Sequence, residues 1–374
     1  MLRATVSPGR IGAQPYGPGI HAVELLSALV AAGSGRAEIT YHWWGRSGAV
    51  DADALFHDMA RPRVRHTPLP TSAYRHLHAA PRFVREVLVG SFDVFHHTGI
   101  ELDPPAPDER LVVSLHDVIG RRWPESEAAE WPGATALLRR ARTVVTVSEF
   151  SRQEILAEYG LDADRVVAIA NGCDLERFRP DRPGPSTELA DLIGGRPYVV
   201  MVGGASPRKN VVRGLDAFRV ARAELGGELV AVLTGAVASG APAAVDALAA
   251  EGALVDVGYR SRDDVASLMA GARLLLFPAL YEGFGLPVIE AMAAGCPVVG
   301  AEAGAVVEVA GGHARLVDAT DVDALAAAIV EVGRWTDAVR TEWATAARAH
   351  AANFTWAAAA DRHLAVYEQV AGSA

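Results

Sequence analysis

Lysine is nearly absent. Of the 35 basic residues in this 374-residue chain, one is lysine, Lys209, and every other is arginine. Lysine ends in a compact ammonium on a flexible stem, arginine in a planar fork of donors. A chain so biased that keeps one lysine points to a site that wants an ammonium. Chance retention is the alternative, so Lys209 serves as support for a site found by other means.

Cysteine is almost as scarce. The two, Cys173 and Cys296, have no metal-ligand spacing, which excludes a disulfide framework and a cysteine metal centre. Each follows a glycine in apolar surroundings, so both are expected to be buried thiols in a reducing, cytosolic setting. No apolar run approaches the ~18 residues of a spanning helix. The start, MLRATVSPGRI, lacks the charged and apolar regions of a signal peptide, and none is expected. Positive charge is in deficit overall: the net charge of −10 argues against duplex nucleic acid as a partner. The deficit reverses in residues 54–90, where Arg61, Arg63, Arg65, Arg75, Arg82 and Arg85 face only Asp58 and Glu86. Such an island suits anionic lipid at the inner membrane face, or a phosphorylated acceptor. An ordinary solvated surface is an equal alternative.

What is present points to a folded α/β protein. Half the residues are hydrophobic and 21% are charged. The length suits two domains. Apolar runs such as TVVTVS (143–148), YVVMVGG (198–204), LVAVLTG (229–235) and RLLLFPA (273–279) read as buried parallel strands. They alternate with helical stretches such as NVVRGLDAFRVARAEL. That alternation predicts parallel sheets covered on both faces, with ligands at the carboxyl ends of the strands. A Pro-, Gly- and charge-rich stretch at 177–197 reads as a linker. The expected division is 1–180, 181–352 and a closing helix in 353–374.

Two stretches carry the strongest chemistry. In YEGFGLPVIEAMAAGCPVVG (281–300), a strand exit leads through Glu282, Gly283, Phe284 and Gly285 into a helix. Pro287 suits the first helical position, and Glu290 would then lie in the first turn, where the dipole favours a carboxylate. Helix stability alone accounts for Glu290, but not for Glu282 and the flanking glycines. Glycines at a helix start expose backbone N–H groups that can seat a diphosphate. In VGGASPRKNVVRG, Gly203 and Gly204 end a strand, and Arg208 and Lys209 stand at a helix start, where cations oppose the dipole. An anionic ligand offsets that cost. The stretch lacks the GxxxxGK[ST] of a Walker loop.

Weaker signals lie nearer the N-terminus. His116 and Asp117 end a buried strand, a site position in such folds, with a satisfied structural histidine equally open. Gly17 and Gly19 precede a helix after the first strand. Ser148 reads as an N-cap and Asn171-Gly172 as a tight turn, both structural.

Taken in order, His116-Asp117, VSEFSR (147–152), NGCD (171–174), PRKN (207–210) and the Glu282-to-Glu290 block resemble glycosyltransferase family 4, retaining enzymes of the GT-B fold. The likeness is nearest to the mannosyltransferase-B-like branch and covers nearly the whole chain. It implies two Rossmann-like domains with parallel sheets facing a cleft, acceptor on the first, nucleotide sugar on the second, and a final helix crossing back. It implies that Glu282 holds donor-sugar hydroxyls, Glu290 the ribose, and His116 the sugar near its anomeric centre. Lys209, helped by Arg208, would neutralise the departing diphosphate. Backbone groups of Gly283, Phe284, Gly285, Leu286 and Val288, with Gly203 and Gly204, would line the donor, and Gly17 and Gly19 would let the first loop approach donor and acceptor. The co-substrate is a nucleotide-diphosphate sugar, with no metal and no other cofactor. The acceptor is a glycan, lipid-linked or small-molecule hydroxyl.

Three departures from the family pattern stand out. GGAS (203–206) lacks the arginine usual after the strand glycine, Val307 stands where proline is common, and the first loop reads PYGPGI. A nucleotide-sugar epimerase and a non-catalytic scaffold of the same architecture are the competing functions. The intact Glu282, Glu290, Lys209 and His116 argue against the scaffold.

Overall fold

The structure, a computed structural model, describes residues 1–7, 17–44, 56, 59–74, 76–101, 104–123, 130–204, 206–235 and 243–373. The described residues from Met1 to Gly172, with those from Trp356 onward, form one compact unit, and those from Cys173 to Thr355 form a second.

The first unit holds a seven-stranded sheet of order β3-β2-β1-β4-β5-β6-β7. The strands are β1 (Leu2–Ser7), β2 (Ala37–Trp44), β3 (Arg63–Thr67), β4 (Val94–His97), β5 (Leu111–Ser114), β6 (Thr143–Thr146) and β7 (Val166–Ala168). All neighbours run parallel. β5 is buried at every position, as its unbroken apolar run requires when helices cover both faces. The helix Glu149–Tyr159 starts at Ser148, whose hydroxyl accepts from the Ser151 N–H, so that serine is the expected cap. The last helix, Trp356–Gly372, belongs to this unit: its Tyr367 hydroxyl lies 2.6 Å from His96 Nδ1 on β4, and Arg362 donates to Ala168 O.

The second unit holds a six-stranded parallel sheet, β10-β9-β8-β11-β12-β13. Its strands are β8 (Tyr198–Val202), β9 (Val230–Thr234), β10 (Leu254–Gly258), β11 (Leu274–Phe277), β12 (Val298–Ala301) and β13 (Arg315–Val317). Its core packs Val199, Met201, Phe218, Leu233, Leu276 and Ile329 between the sheet and its helices. The units exchange at Gly172/Cys173 and at Thr355/Trp356, where composition placed the changes at 180/181 and 352/353. The Cys173 N–H donates to Phe354 O at 2.9 Å, which ties the two ends of the second unit together. Phe178 is 1% exposed, and Arg177 and Arg182 both bind Asp263, so the proline-rich stretch is fastened down rather than loose. Both cysteines are buried, as expected.

Each sheet is wound outward in two directions from a central pair, β1/β4 in the first and β8/β11 in the second. Ligands of such sheets bind where the winding reverses, beyond the carboxyl ends of those strands. Gly203 to Asn210 follow β8, and Pro278 to Gly285 follow β11.

Candidate active site

The two loops at the β8/β11 reversal are locked together. After β8, Pro207–Lys209 make one 3-10 turn, and Asn210 then takes the left-handed conformation, φ 55°. Asn210 is the one non-glycine residue with positive φ among those described. It is buried, and its amide donates to Pro278 O at 3.1 Å and Ala319 O at 2.8 Å. The Leu280 N–H donates to Arg208 O at 2.7 Å. The cation-bearing turn is thus pinned to the end of β11.

On this frame Glu282 meets both cations. Its Oε1 accepts from Lys209 Nζ at 2.5 Å and from Arg208 Nη1 at 2.8 Å. All three side chains are 13–17% exposed, so the cluster is shielded but open to one side. The Lys209 stem lies over Gly203, where a Cβ would sit 3.4 Å from its Cδ and Cε. Glu282 is held from behind by Gly304, at which a Cβ would come within 2.9 Å of Glu282 O. The Ala305 N–H donates to that same carbonyl.

The following helix runs from Leu286 to Ala293, with Gly285 at its cap in the left-handed region, φ 91°. It begins one residue before Pro287. Glu290 therefore lies past the first turn, correcting the expectation that it is a helix-start carboxylate. It is 2% exposed, and its Oε1 accepts from Arg262 Nη1 at 2.5 Å. Phe284 and Val288 are buried, with Phe284 edge-on to Phe354, while Leu286 is half-buried. Pro287 has no N–H, and the Val288 N–H donates to Gly285 O. That engages the Val288 N–H within the helix start, and Gly283, Phe284, Gly285 and Leu286 remain of the expected set in this loop.

His116, Gly17 and Gly19 lie in the first unit. The His116 ring stands edge-on to His21, centroids 4.5 Å apart, and its Nε2 is buried with no hydrogen-bond partner among the described residues. Burial pushes His116 down to about 4, so it is neutral at pH 7. His21 is pushed down to about 3 by burial and by His116, and its Nδ1 faces Asn171 Oδ1 at 2.7 Å. Asn171 is therefore a partner of His21, and the tight turn expected at 171–172 is not formed there. Asp117 caps the Ile119 N–H. Gly17 has φ 42° at the cap of the helix Pro18–Ala32, while Gly19 is inside that helix because Pro18 starts it. Residues 8–16 of the first loop lie outside the described residues.

The glycosyl transferases group 1 model matches residues 190–349, and the glycosyltransferase family 4 model matches residues 16–177. The O-antigen chain mannosyltransferase B of Escherichia coli is 30% identical over 291 residues, 75% of each chain. The chain belongs to the group 1, family 4 glycosyltransferases. A second relative, the MMP alpha-(1->4)-mannosyltransferase of Mycolicibacterium hassiacum, is 31% identical over 75% of this chain and 71% of its own. The structure of Anabaena Alr3699/HepE in complex with UDP and glucose superposes with a TM-score of 0.69 over 99% of this chain and 100% of that one, at 20% identity. The fold of this glycosyltransferase is GT-B.

Three residues of this glycosyltransferase escaped the sequence reading as site elements: Asn210, Gly304 and Arg262. Asn210 ends the quoted PRKN, and an asparagine just before a helix is a signal for the left-handed conformation. Arg262 stands first in its helix, against the dipole, the same signal that drew attention to Arg208. Gly304 has no sequence signal beyond a glycine before a helix. No group of three or more metal-ligating side chains occurs among the described residues.

Proposed function

We propose that this glycosyltransferase is a retaining hexosyltransferase that moves a hexosyl group, mannose first among the candidates, from a nucleotide-diphosphate sugar to an acceptor hydroxyl. The observation that carries the reading is the Glu282 carboxylate shared by Lys209 and Arg208 where the β8/β11 winding reverses. Two cations gathered on one carboxylate oxygen form a preorganised seat for an arriving dianion. Mannose is favoured because two relatives at about this distance are named mannosyltransferases.

Lys209 and Arg208 would move from Glu282 onto the diphosphate. Glu282 then accepts hydrogen bonds from sugar hydroxyls. Phe284, Gly285 and Leu286 would offer backbone N–H groups at the helix start, and Glu290 would take the ribose hydroxyls. His116, neutral and with a bare ring nitrogen, suits a sugar hydroxyl near the anomeric carbon. Gly17 would let the first loop approach. The bond from the anomeric carbon to the diphosphate oxygen breaks, and its electron pair leaves with the diphosphate. The acceptor oxygen bonds on the same face, and its proton passes to the departing phosphate oxygen. Charge is balanced by side chains and a helix dipole, so the reading invokes no metal.

The acceptor would be a glycan, a lipid-linked sugar or a small molecule. Presentation at the inner face of a membrane is favoured by the helix Arg82–Val89, whose Phe83 and Val87 are 69% and 72% exposed one turn apart. Within residues 54–90, Arg63 pairs with Glu38 and Arg82 with Glu86, while Arg65 and Arg85 donate to backbone carbonyls. Among the described residues neither of those two charges has a carboxylate partner. Arg75 and Asp58 lie outside the described residues. No helix among the described residues is long and apolar enough to cross a membrane.

The test is nucleotide release and transfer over GDP-mannose, UDP-glucose, UDP-N-acetylglucosamine and dTDP-rhamnose. Release with transfer from one of them, GDP-mannose foremost, and an unchanged anomeric configuration are expected. Sugar interconversion without nucleotide release, or inversion, would overturn the reading.

A further inference from the structure

Glu290 is a buried carboxylate that a soluble fold has reason to avoid. At 2% exposure it has lost its water, and an ionised carboxylate there needs a partner. The partner is Arg262, 28 residues earlier, whose Nη1 lies 2.5 Å from Glu290 Oε1. Nothing local favours an arginine there. It opens the helix Arg262–Gly271, where the dipole disfavours a cation. Its own helix already has a serine cap, since the Ser261 hydroxyl accepts from the Asp264 N–H.

The guanidinium is also supported from below. Its central carbon lies 4.9 Å from the centroid of the Phe178 ring, within cation–π range. Phe178 is itself immobilised. Arg177 and Arg182 on either side bind Asp263, the residue next to Arg262, and Arg182 also bonds Ser267 Oγ. A planar cation over a buried ring has few orientations left, and it presents one nitrogen to one Glu290 oxygen. The Arg262 side chain remains 24% exposed, so one edge of the pair reaches solvent.

We propose that Arg262 is the positioning residue for nucleotide binding: it orients Glu290, so that the carboxylate meets the ribose hydroxyls ready-made. This rests on the reading above that Glu290 takes the ribose. Arg262 acts through Glu290 and takes no part in bond breaking. Its contribution therefore falls on donor affinity and leaves the chemical step nearly alone.

The experiment compares wild type, Arg262→Lys, Arg262→Ala, Glu290→Gln and the Arg262→Ala/Glu290→Gln double variant. Affinity for free GDP and UDP is measured by calorimetry, donor KM and kcat by nucleotide release, and folding by thermal melting. Expected for Arg262→Ala is a loss of nucleotide affinity and a rise in donor KM of about tenfold or more, the scale of breaking a buried charge pair, with kcat at saturation within about twofold. Arg262→Lys should recover part of the affinity. The double variant should bind nucleotide no worse than Glu290→Gln alone, since the arginine acts through the carboxylate. Should Arg262→Ala not fold, the lysine variant and Glu290→Gln carry the comparison. Melting that drops while nucleotide affinity and KM stay at wild-type values makes Arg262 merely structural and overturns the proposal. Affinity lost in Glu290→Gln but kept in Arg262→Ala overturns it and leaves the ribose reading standing. Affinity kept in Glu290→Gln removes the ribose reading, and the proposal with it.

Discussion

Lys209 Nζ lies 2.5 Å from Glu282 Oε1. The single lysine of the chain thus meets the carboxylate that opens the Glu282-to-Glu290 block, 73 residues away in sequence. Arg208 joins them at 2.8 Å. Two cations share one carboxylate oxygen, so the cluster of three side chains carries one positive charge in excess.

The two glutamates should separate by kinetic signature. Glu282→Gln removes the charge that Lys209 and Arg208 share, and is expected to lower turnover by about 10²-fold, the scale of losing one electrostatic contact to the transition state. Its affinity for free nucleotide should stay near wild type. Glu290→Gln should do the reverse. Steady-state kinetics with calorimetry of free nucleotide decides, and a large affinity loss in Glu282→Gln would contradict the assignment.

Asn210→Gly keeps the left-handed backbone at no steric cost but leaves Pro278 O and Ala319 O without their donor. The expected cost is about 1–3 kcal/mol, read as a lower denaturant midpoint of the second unit. Asn210→Ala should be worse, because alanine is also strained at φ 55°. A glycine variant with the wild-type midpoint would show that these bonds contribute nothing.

Gly304→Ala puts a methyl within 2.9 Å of Glu282 O, at φ 58°. The carbonyl has to yield, and the Glu282 carboxylate moves with it. A fall in kcat of about tenfold or more is expected, since small misplacements in a preorganised site are expensive. The measurement is turnover at saturating donor; wild-type kcat would show that the loop tolerates displacement.

Acid should weaken the first unit. Burial pushes His21, His42 and His363 down to about 3 and His116 to about 4, and it holds His96 well below the ordinary range. Folded, all five stay neutral; unfolded, they take protons near pH 6.5. Below about 6.5 the unfolded chain binds more protons, so stability is lost as pH falls towards 4 and then 3. The slope approaches about 1.4 kcal/mol per pH unit for each histidine. His96, bonded to Tyr367 and Ser114, links the last helix to the sheet, so that helix should loosen early. Melting at pH 7.5, 6 and 5 should show a steep loss, shallower in His363→Phe. A flat profile over that range would contradict the burial of these rings.

The strands were legible because a parallel strand buried on both faces has to be apolar throughout; YVVMV and LLLF admit little else. Lys209, Arg208 and Glu282 were each legible as a cation or carboxylate at a strand's end. Their shared ion pair was not, since it depends on two loops that β8 and β11 bring together. Glu290 was misread as a helix-start residue because proline prefers the first helical position. Here the turn at Gly285 starts the helix one residue early. Its partner Arg262 was hidden because a contact between two helices leaves no periodicity in the sequence. The arginines of residues 54–90 read as free charge, while Arg65 and Arg85 in fact reach backbone carbonyls that only the folded chain presents.

The most direct test of the diphosphate seat is the turnover of Lys209→Ala with the preferred nucleotide sugar, measured beside its melting temperature. Loss of the cation that meets the departing charge should cut transfer by about 10²-fold or more while the fold melts as before. Lys209→Arg should recover little, because a planar fork does not reproduce a compact ammonium over Gly203. Near-normal turnover in a folded Lys209→Ala variant would contradict the central claim.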